Sequence, residues 1–149
     1  MRNKTKAFTL GEIAIVIVII GSLATLAVPY YIISTQKSKS MEGVQILTDF
    51  LKAENRYAQE NGGKYTANLS QLDIQIYATS YFSLVTPWDN QPQSAFIHIN
   101  GVLYPVRGTI FRQENASILY MLQITDDGRI ACSDGTAHIC QQMGYDIGN

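Results

Sequence analysis

Three regimes of hydrophobic patterning follow one another along the chain. Residues 13–33 are almost continuously apolar and include no charged side chain. From residue 34 to residue 61 the apolar positions thin into a stripe. At 100° per residue, Val44, Ile46, Leu47, Phe50, Leu51, Ala53, Tyr57 and Ala58 share one half of a helical wheel. Gln45, Thr48, Asp49, Lys52, Asn55, Arg56, Gln59 and Glu60 fill the other half. Glu54 falls inside the apolar sector and reads as a side chain that snorkels to water or meets another subunit. Asn61-Gly62-Gly63 is a helix stop signal, because glycine accepts the left-handed conformation that closes a helix.

The third regime is strand-like. Residues 65–72 predict a turn with a short helix. Residues 81–85, 95–99, 102–111 and 118–124 carry the aromatic and β-branched side chains of strands. Asn100-Gly101 fits a two-residue hairpin turn between two of them. Asp126-Asp127-Gly128 marks a further turn before Arg129-Ile-Ala-Cys132. The fold class is therefore α+β: a long N-terminal helix, half transmembrane and half amphipathic, packed on a roughly four-stranded antiparallel sheet. Its boundaries are a leader at 1–7, a transmembrane segment at 8–33, an amphipathic half at 34–61 and a β-rich head at 62–149.

Continuous from residue 8 to residue 61, the helix would be about 80 Å long, far more than a small domain needs. Its first half must bury its surface in lipid or against copies of itself. The 21 residues 13–33 would span about 30 Å, the thickness of a bilayer core. Arg2, Lys4 and Lys6 precede them with no acid among residues 1–7, which favours a cytoplasmic N-terminus. A cleaved secretory signal fits less well: the apolar run is too long, and no small-x-small site follows before Pro29.

Glu12 opens the run with a charge. Carried to the bilayer centre, a carboxylate costs on the order of 3 kcal/mol. Two readings are open: Glu12 reaches water at the interface, or a neighbouring subunit supplies a cation. Pro29 removes a backbone donor inside the helical pattern and predicts a kink or local melt. It also stands where the chain would leave the membrane.

Charge and cysteine narrow the rest. Without residues 1–7 the chain keeps eight basic against twelve acidic residues, a net charge of −4. Such a body offers no phosphate-binding footprint, and no nucleic-acid partner is indicated. Cys132 and Cys140 follow an export segment, so a disulfide is favoured over two free thiols. Closing that loop is worth about 2.5 kcal/mol in the chain-entropy account. A metal held by the pair would find only His138 as a further ligand.

The segment Lys6-Ala7-Phe8-Thr9-Leu10-Gly11-Glu12, running into Ile13-Ala-Ile-Val-Ile-Val-Ile-Ile20-Gly21 and Ala27-Val28-Pro29, resembles the N-terminus of type IV pilins and pseudopilins. The resemblance covers about 25 residues. It implies a prepilin peptidase that cuts between Ala7 and Phe8 and methylates the amino group of Phe8. It implies that Glu12 pairs with the terminal amine of the adjacent subunit, and that Pro29 bends the helix. Two positions depart from the family pattern: Ala7 stands where glycine is usual, and Gly11 where a bulky apolar residue is usual. The implied partners are copies of the chain, the peptidase and an inner-membrane assembly platform. The implied location is the bacterial inner membrane, then a periplasmic or cell-surface filament. The Cys132–Cys140 loop would pin the C-terminal segment, in that family an exposed and variable surface.

Other chemistry is thin. His98 lies between Ile97 and Ile99 in a strand pattern, and no spacing of Ser, His and Asp supports catalysis. Asp126, Asp127 and Asp134 could offer oxygens to calcium, but they fit no loop motif and read as a solvated turn. Thr86-Pro-Trp-Asp-Asn-Gln-Pro92 is partly similar to a loop of the major pseudopilin of type II secretion, with Thr86 and Asp89 departing from it. The sequons at Asn68 and Asn115 are short enough to arise by chance. The resemblance implies a pilus subunit, and no catalytic residue, cofactor or metal is expected. A type II secretion pseudopilin is the alternative, and a membrane-anchored enzyme or binding protein is the remote one.

Overall fold

A computed structural model of the chain describes residues 8–66, 68–83, 86–87, 96–114, 117–135 and 138–148. The leader 1–7, Ala95, most of the loop 86–92 and the sequon at Asn115 lie outside the described residues. Helix α1, Leu10–Glu60, is unbroken for 51 residues and about 76 Å. It passes through Pro29 as continuous helix, so the local melt expected there is not seen. Asn61 caps it, donating its backbone N–H to Tyr57 O at 2.9 Å, and the chain reverses at Gly62-Gly63.

The head is a mostly antiparallel, curled sheet laid against the second half of α1. Its strands are β1 (Thr86–Pro87), β2 (Phe96–Ile99), β3 (Val102–Glu114), β4 (Ser117–Thr125), β5 (Ile130–Ser133) and β6 (Asp146–Ile147). The path runs β1-β3-β4-β5-β6, and β2 pairs with the early part of β3. The hairpin turn at Asn100-Gly101 forms as expected, with φ of 51° and 80°. Positive φ at both positions is what a tight turn matched to strand twist requires. The four-stranded expectation is enlarged at both edges. Of the strand expected over 81–85, residues 84–85 lie outside the described residues, and within 81–83 Phe82 makes an isolated bridge to Arg112. At the other edge β6 runs parallel to β5, and Gly148 bridges Ile99, which brings the far edge of the curl round to β2.

Two short helices complete the order. A 3₁₀ turn, Leu69–Gln71, occupies the predicted short helix. Helix α2, Ile139–Met143, was not foreseen, since five residues leave no readable periodicity. It carries Cys140, whose disulfide with Cys132 of β5 is formed as the sequence favoured. Both cysteines are buried in the main core with Leu47, Phe50, Phe82, Ile110, Leu122 and Met143. Tyr145, just beyond α2, reaches α1 through a 2.8 Å hydrogen bond between its hydroxyl and that of Ser40.

The buried face of α1 is Ser40, Gly43, Leu47, Phe50, Leu51, Ala53, Glu54 and Ala58. Spacings of three and four residues put all of them on one stripe. Three members, Ser40, Gly43 and Glu54, are not apolar in the usual sense and were missed by a hydrophobicity count. Gly43 marks the closest approach of helix to sheet. A Cβ there would meet Ile110 Cδ1 and Phe82 Cζ at 2.9 Å and Leu122 Cδ1 at 3.0 Å.

Gly43→Leu is therefore expected to overpack this contact and lower unfolding stability by about 3 kcal/mol. Gly43→Ala should cost less, because its helix propensity offsets part of the crowding. A urea midpoint unchanged in the leucine variant would contradict the packing described.

Candidate functional site

Apolar side chains with no cover define the candidate site. Phe8, Leu10, Ile13, Ile15, Val16, Ile17, Val18, Ile19, Ile20, Leu23, Leu26, Val28 and Ile32 are all exposed along the first half of α1. The helix is long and apolar enough to cross a membrane, and among the described residues nothing buries its most apolar stretch. Contact with the head begins at Ile33, which packs on the main core, and becomes continuous from Ser40.

At the start of this helix Thr9 and Glu12 form a reciprocal cap. Thr9 is the N-cap residue, and its hydroxyl oxygen accepts the Glu12 backbone N–H at 3.3 Å. Glu12 Oε2 in return accepts the Thr9 backbone N–H and the Thr9 hydroxyl, both at 2.8 Å. Orphan donors of the first helical turn are thereby satisfied, and the carboxylate sits at the positive end of the helix dipole. Thr9-Leu-Gly-Glu12 is the capping-box spacing, a signal available in the sequence but overlooked when Glu12 was read for its charge alone. Among the described residues Glu12 enters no ion pair. Hydrogen bonds partner the carboxylate, and no cation among the described residues neutralises its charge. Phe8, at the other implied processing position, is fully described and exposed, and Ala7 is not described.

Elsewhere the head offers little to a ligand. A crevice of about 470 Å³ lies between α1 and residues 74–77, lined by Ile46, Asp49, Lys52, Arg56, Ile74 and Tyr77. Its charges already pair: Arg56 grips Asp73 through two bonds of 2.6 and 2.7 Å, and Lys52 lies 3.4 Å from Asp49. Asp127 is held in its turn by Thr125 and by Arg129 Nε at 2.8 Å, while Asp134 accepts the Cys140 N–H at 2.8 Å. Asp127 and Asp134, two of the three aspartates considered for calcium, thus serve separate tasks. His98 lies on the exposed face of β2, and His138 is exposed ahead of α2.

Glu54 neither snorkels nor reaches a subunit surface, which corrects the sequence reading. It is 2% exposed. The chain after Gly63 folds back over it, so Thr66 N–H donates to Oε2 at 3.2 Å, while Oε1 is buried without a partner. Burial pushes the Glu54 carboxyl above its ordinary value, opposed by the Thr66 N–H and by the charge of Arg107. The Arg107 guanidinium stacks on Tyr65 at 3.8 Å, and its own Nε is buried and unpartnered. A register shift in β3 between Val106 and Gly108 leaves Arg107 as the extra residue of a bulge, something no local pattern announces.

Comparison with models of protein families, with curated proteins and with solved structures found no match to this chain.

A carboxyl raised on folding binds its proton more tightly in the native state. Its stabilising contribution is complete below the ordinary value of 4.5 and is lost as pH rises through the folded value. Glu54→Gln should remove that loss. Its stability advantage over the parent is expected to grow from acid to neutral pH. Denaturant titrations showing a pH-independent difference would contradict the burial argument.

Proposed function

We propose that the chain is a type IV pilin, a structural subunit that polymerises through α1. The observation that carries this reading is the long apolar helix, uncovered by its own head and headed by a lone carboxylate. The head supports it as a pilin-like architecture: a mostly antiparallel sheet on the helix's second half, with a C-terminal disulfide. In this reading a prepilin peptidase removes residues 1–7 after Ala7 and methylates Phe8. The chain waits in the bacterial inner membrane, and an assembly platform lifts it into a filament whose core is a bundle of apolar helices. No catalysis, cofactor or nucleic-acid contact is part of the assignment.

Assembly chemistry follows from the cap. Glu12 holds a charge that water or a cation must satisfy when the helix moves into an apolar bundle. The methylated amine of Phe8 on the next copy is that cation, and its arrival replaces or reinforces the Thr9 bonds. Similarity of residues 86–92 to a pseudopilin loop favours the second reading, the major pseudopilin of type II secretion. Neighbouring genes separate the two: a retraction motor goes with pili, an outer-membrane secretin with secretion.

Glu12→Ala is expected to leave membrane insertion intact and to abolish or sharply reduce filament yield. Normal filaments from this variant would contradict the pairing. Intact-mass measurement of the native product should find a chain that starts at methylated Phe8. A mass that retains residues 1–7 in surface filaments would contradict the processing step.

A further inference from the structure

Asparagine followed by glycine is the pair at which a peptide chain most readily attacks itself. Glycine has no side chain to hinder its nitrogen as it approaches the asparagine carboxamide carbon. The chain holds two such pairs, Asn61-Gly62 and Asn100-Gly101. Both are exposed, and the fold restrains them very differently.

Asn100 and Gly101 are the turn of the β2–β3 hairpin, left-handed at both positions. Ile99 pairs with Val102 directly beyond them, and His98 with Leu103. To bring the Gly101 nitrogen onto the Asn100 carboxamide, the chain must rotate about the Asn100 Cα–C bond. The flanking ladder resists that rotation, because a turn so altered no longer holds its strands in register.

Asn61 has no ladder around it. It is the C-cap of α1, and Gly62 and Gly63 follow with φ of 65° and 83°. Nothing lies within 4 Å of where a Cβ would stand on either glycine. Three hydrogen bonds hold the pair. The Asn61 backbone N–H and Nδ2 both donate to Tyr57 O at 2.9 Å, and Gly63 N–H donates to Ala58 O at 2.7 Å. The N–H of Gly62, the attacking group, makes no backbone hydrogen bond among the described residues. Fraying of the last helical turn releases all three bonds at little cost.

We infer that Asn61 is a site of self-modification in the folded chain, and that the hairpin spares Asn100. The Gly62 nitrogen gives up its proton and bonds to the Asn61 carboxamide carbon, and ammonia leaves. Water then opens the resulting succinimide to aspartate or isoaspartate. Water is the only reagent consumed.

The product alters this end of the head. A carboxylate at position 61 replaces an amide donor with a charge that repels Tyr57 O, beside Glu60 and at the negative end of the helix dipole. Isoaspartate also adds a methylene to the main chain of the reversal that brings Thr66 over Glu54, where its N–H donates to Oε2 at 3.2 Å. Modification therefore loosens the cover of a buried acid, and an aged chain differs from a new one at the end of α1 far from the apolar run.

The full chain in detergent micelles, held in mildly alkaline oxygen-18 water and sampled over days, tests the inference. Trypsin in ordinary water then delivers Asn61 in the peptide 57–64 and Asn100 in the peptide 65–107. In the folded chain Asn61 should take up label about tenfold faster than Asn100, as an opening easier by about 1.4 kcal/mol would give. Fragmentation should find both aspartate and isoaspartate at position 61. In denaturant the two pairs should react at similar rates, and Asn61→Gln should leave the peptide 57–64 unlabelled over the same period. Equal rates at the two pairs in the folded chain, or a faster Asn100, would overturn the inference. Label at Asn61 that appears only in denaturant would overturn it too, by showing that the cap protects the pair.

Discussion

Hydrophobic surface that the chain cannot cover by itself is the constraint from which the rest of this molecule follows. Fully burying one Ile, Leu, Val or Phe is worth about 1.5–3 kcal/mol, so the exposed side chains of residues 8–32 represent tens of kcal/mol. That exceeds the roughly 5–15 kcal/mol that keeps a whole domain folded. Among the described residues the head reaches only as far up the helix as Ile33, and so leaves this surface uncovered. Lipid and other copies of the same helix are the two environments that can cover it. The filament subunit proposed here would use them in turn, its assembly exchanging one apolar surrounding for another at modest net cost.

In the proposed filament, the polar end of the helix would make that exchange specific. Apolar contact between identical rods does not by itself choose a register. A carboxylate at a defined position does, since an unpaired charge in such a bundle is costly wherever its partner is missing. Thr9 lets Glu12 wait: the cap satisfies the acid through two donors and ties the helix start together. Below this, Ser40 and Gly43 fasten the head to α1, and the Cys132–Cys140 bridge ties α2 to β5 within the head. Residues 138–148 take part in both, carrying Cys140 to β5 and the Tyr145 hydroxyl to Ser40.

Much of this was legible in the sequence because the signals were long or strongly constrained. An uncharged run of 21 residues, a period-3.6 stripe and an Asn-Gly turn each leave few alternatives. The fold class, the helix stop and the disulfide all emerged from such features. Other elements depended on contacts distant in sequence. Glu54 is buried because residues near Thr66 return over it, and Arg107 is turned inward by a bulge. Gly43 reads as a weak point in a helix until Phe82, Ile110 and Leu122 are brought against it. Strand β6 and helix α2 are too short to declare themselves and exist through their neighbours. At the candidate site the acid was legible and its cap was not, since Thr9 was read only as part of a family signature. Pro29 stays helical because a single missing N–H in a helix this long is carried by the turns on either side.

The most direct test of the account asks what touches the middle of the apolar helix in the working state. A photoreactive side chain at position 18, placed in the full chain and activated in cells that have assembled it, reports that contact. The account predicts covalent products at multiples of the chain mass, formed between copies. Products joined only to lipid, or a chain that stays single after activation, would contradict it.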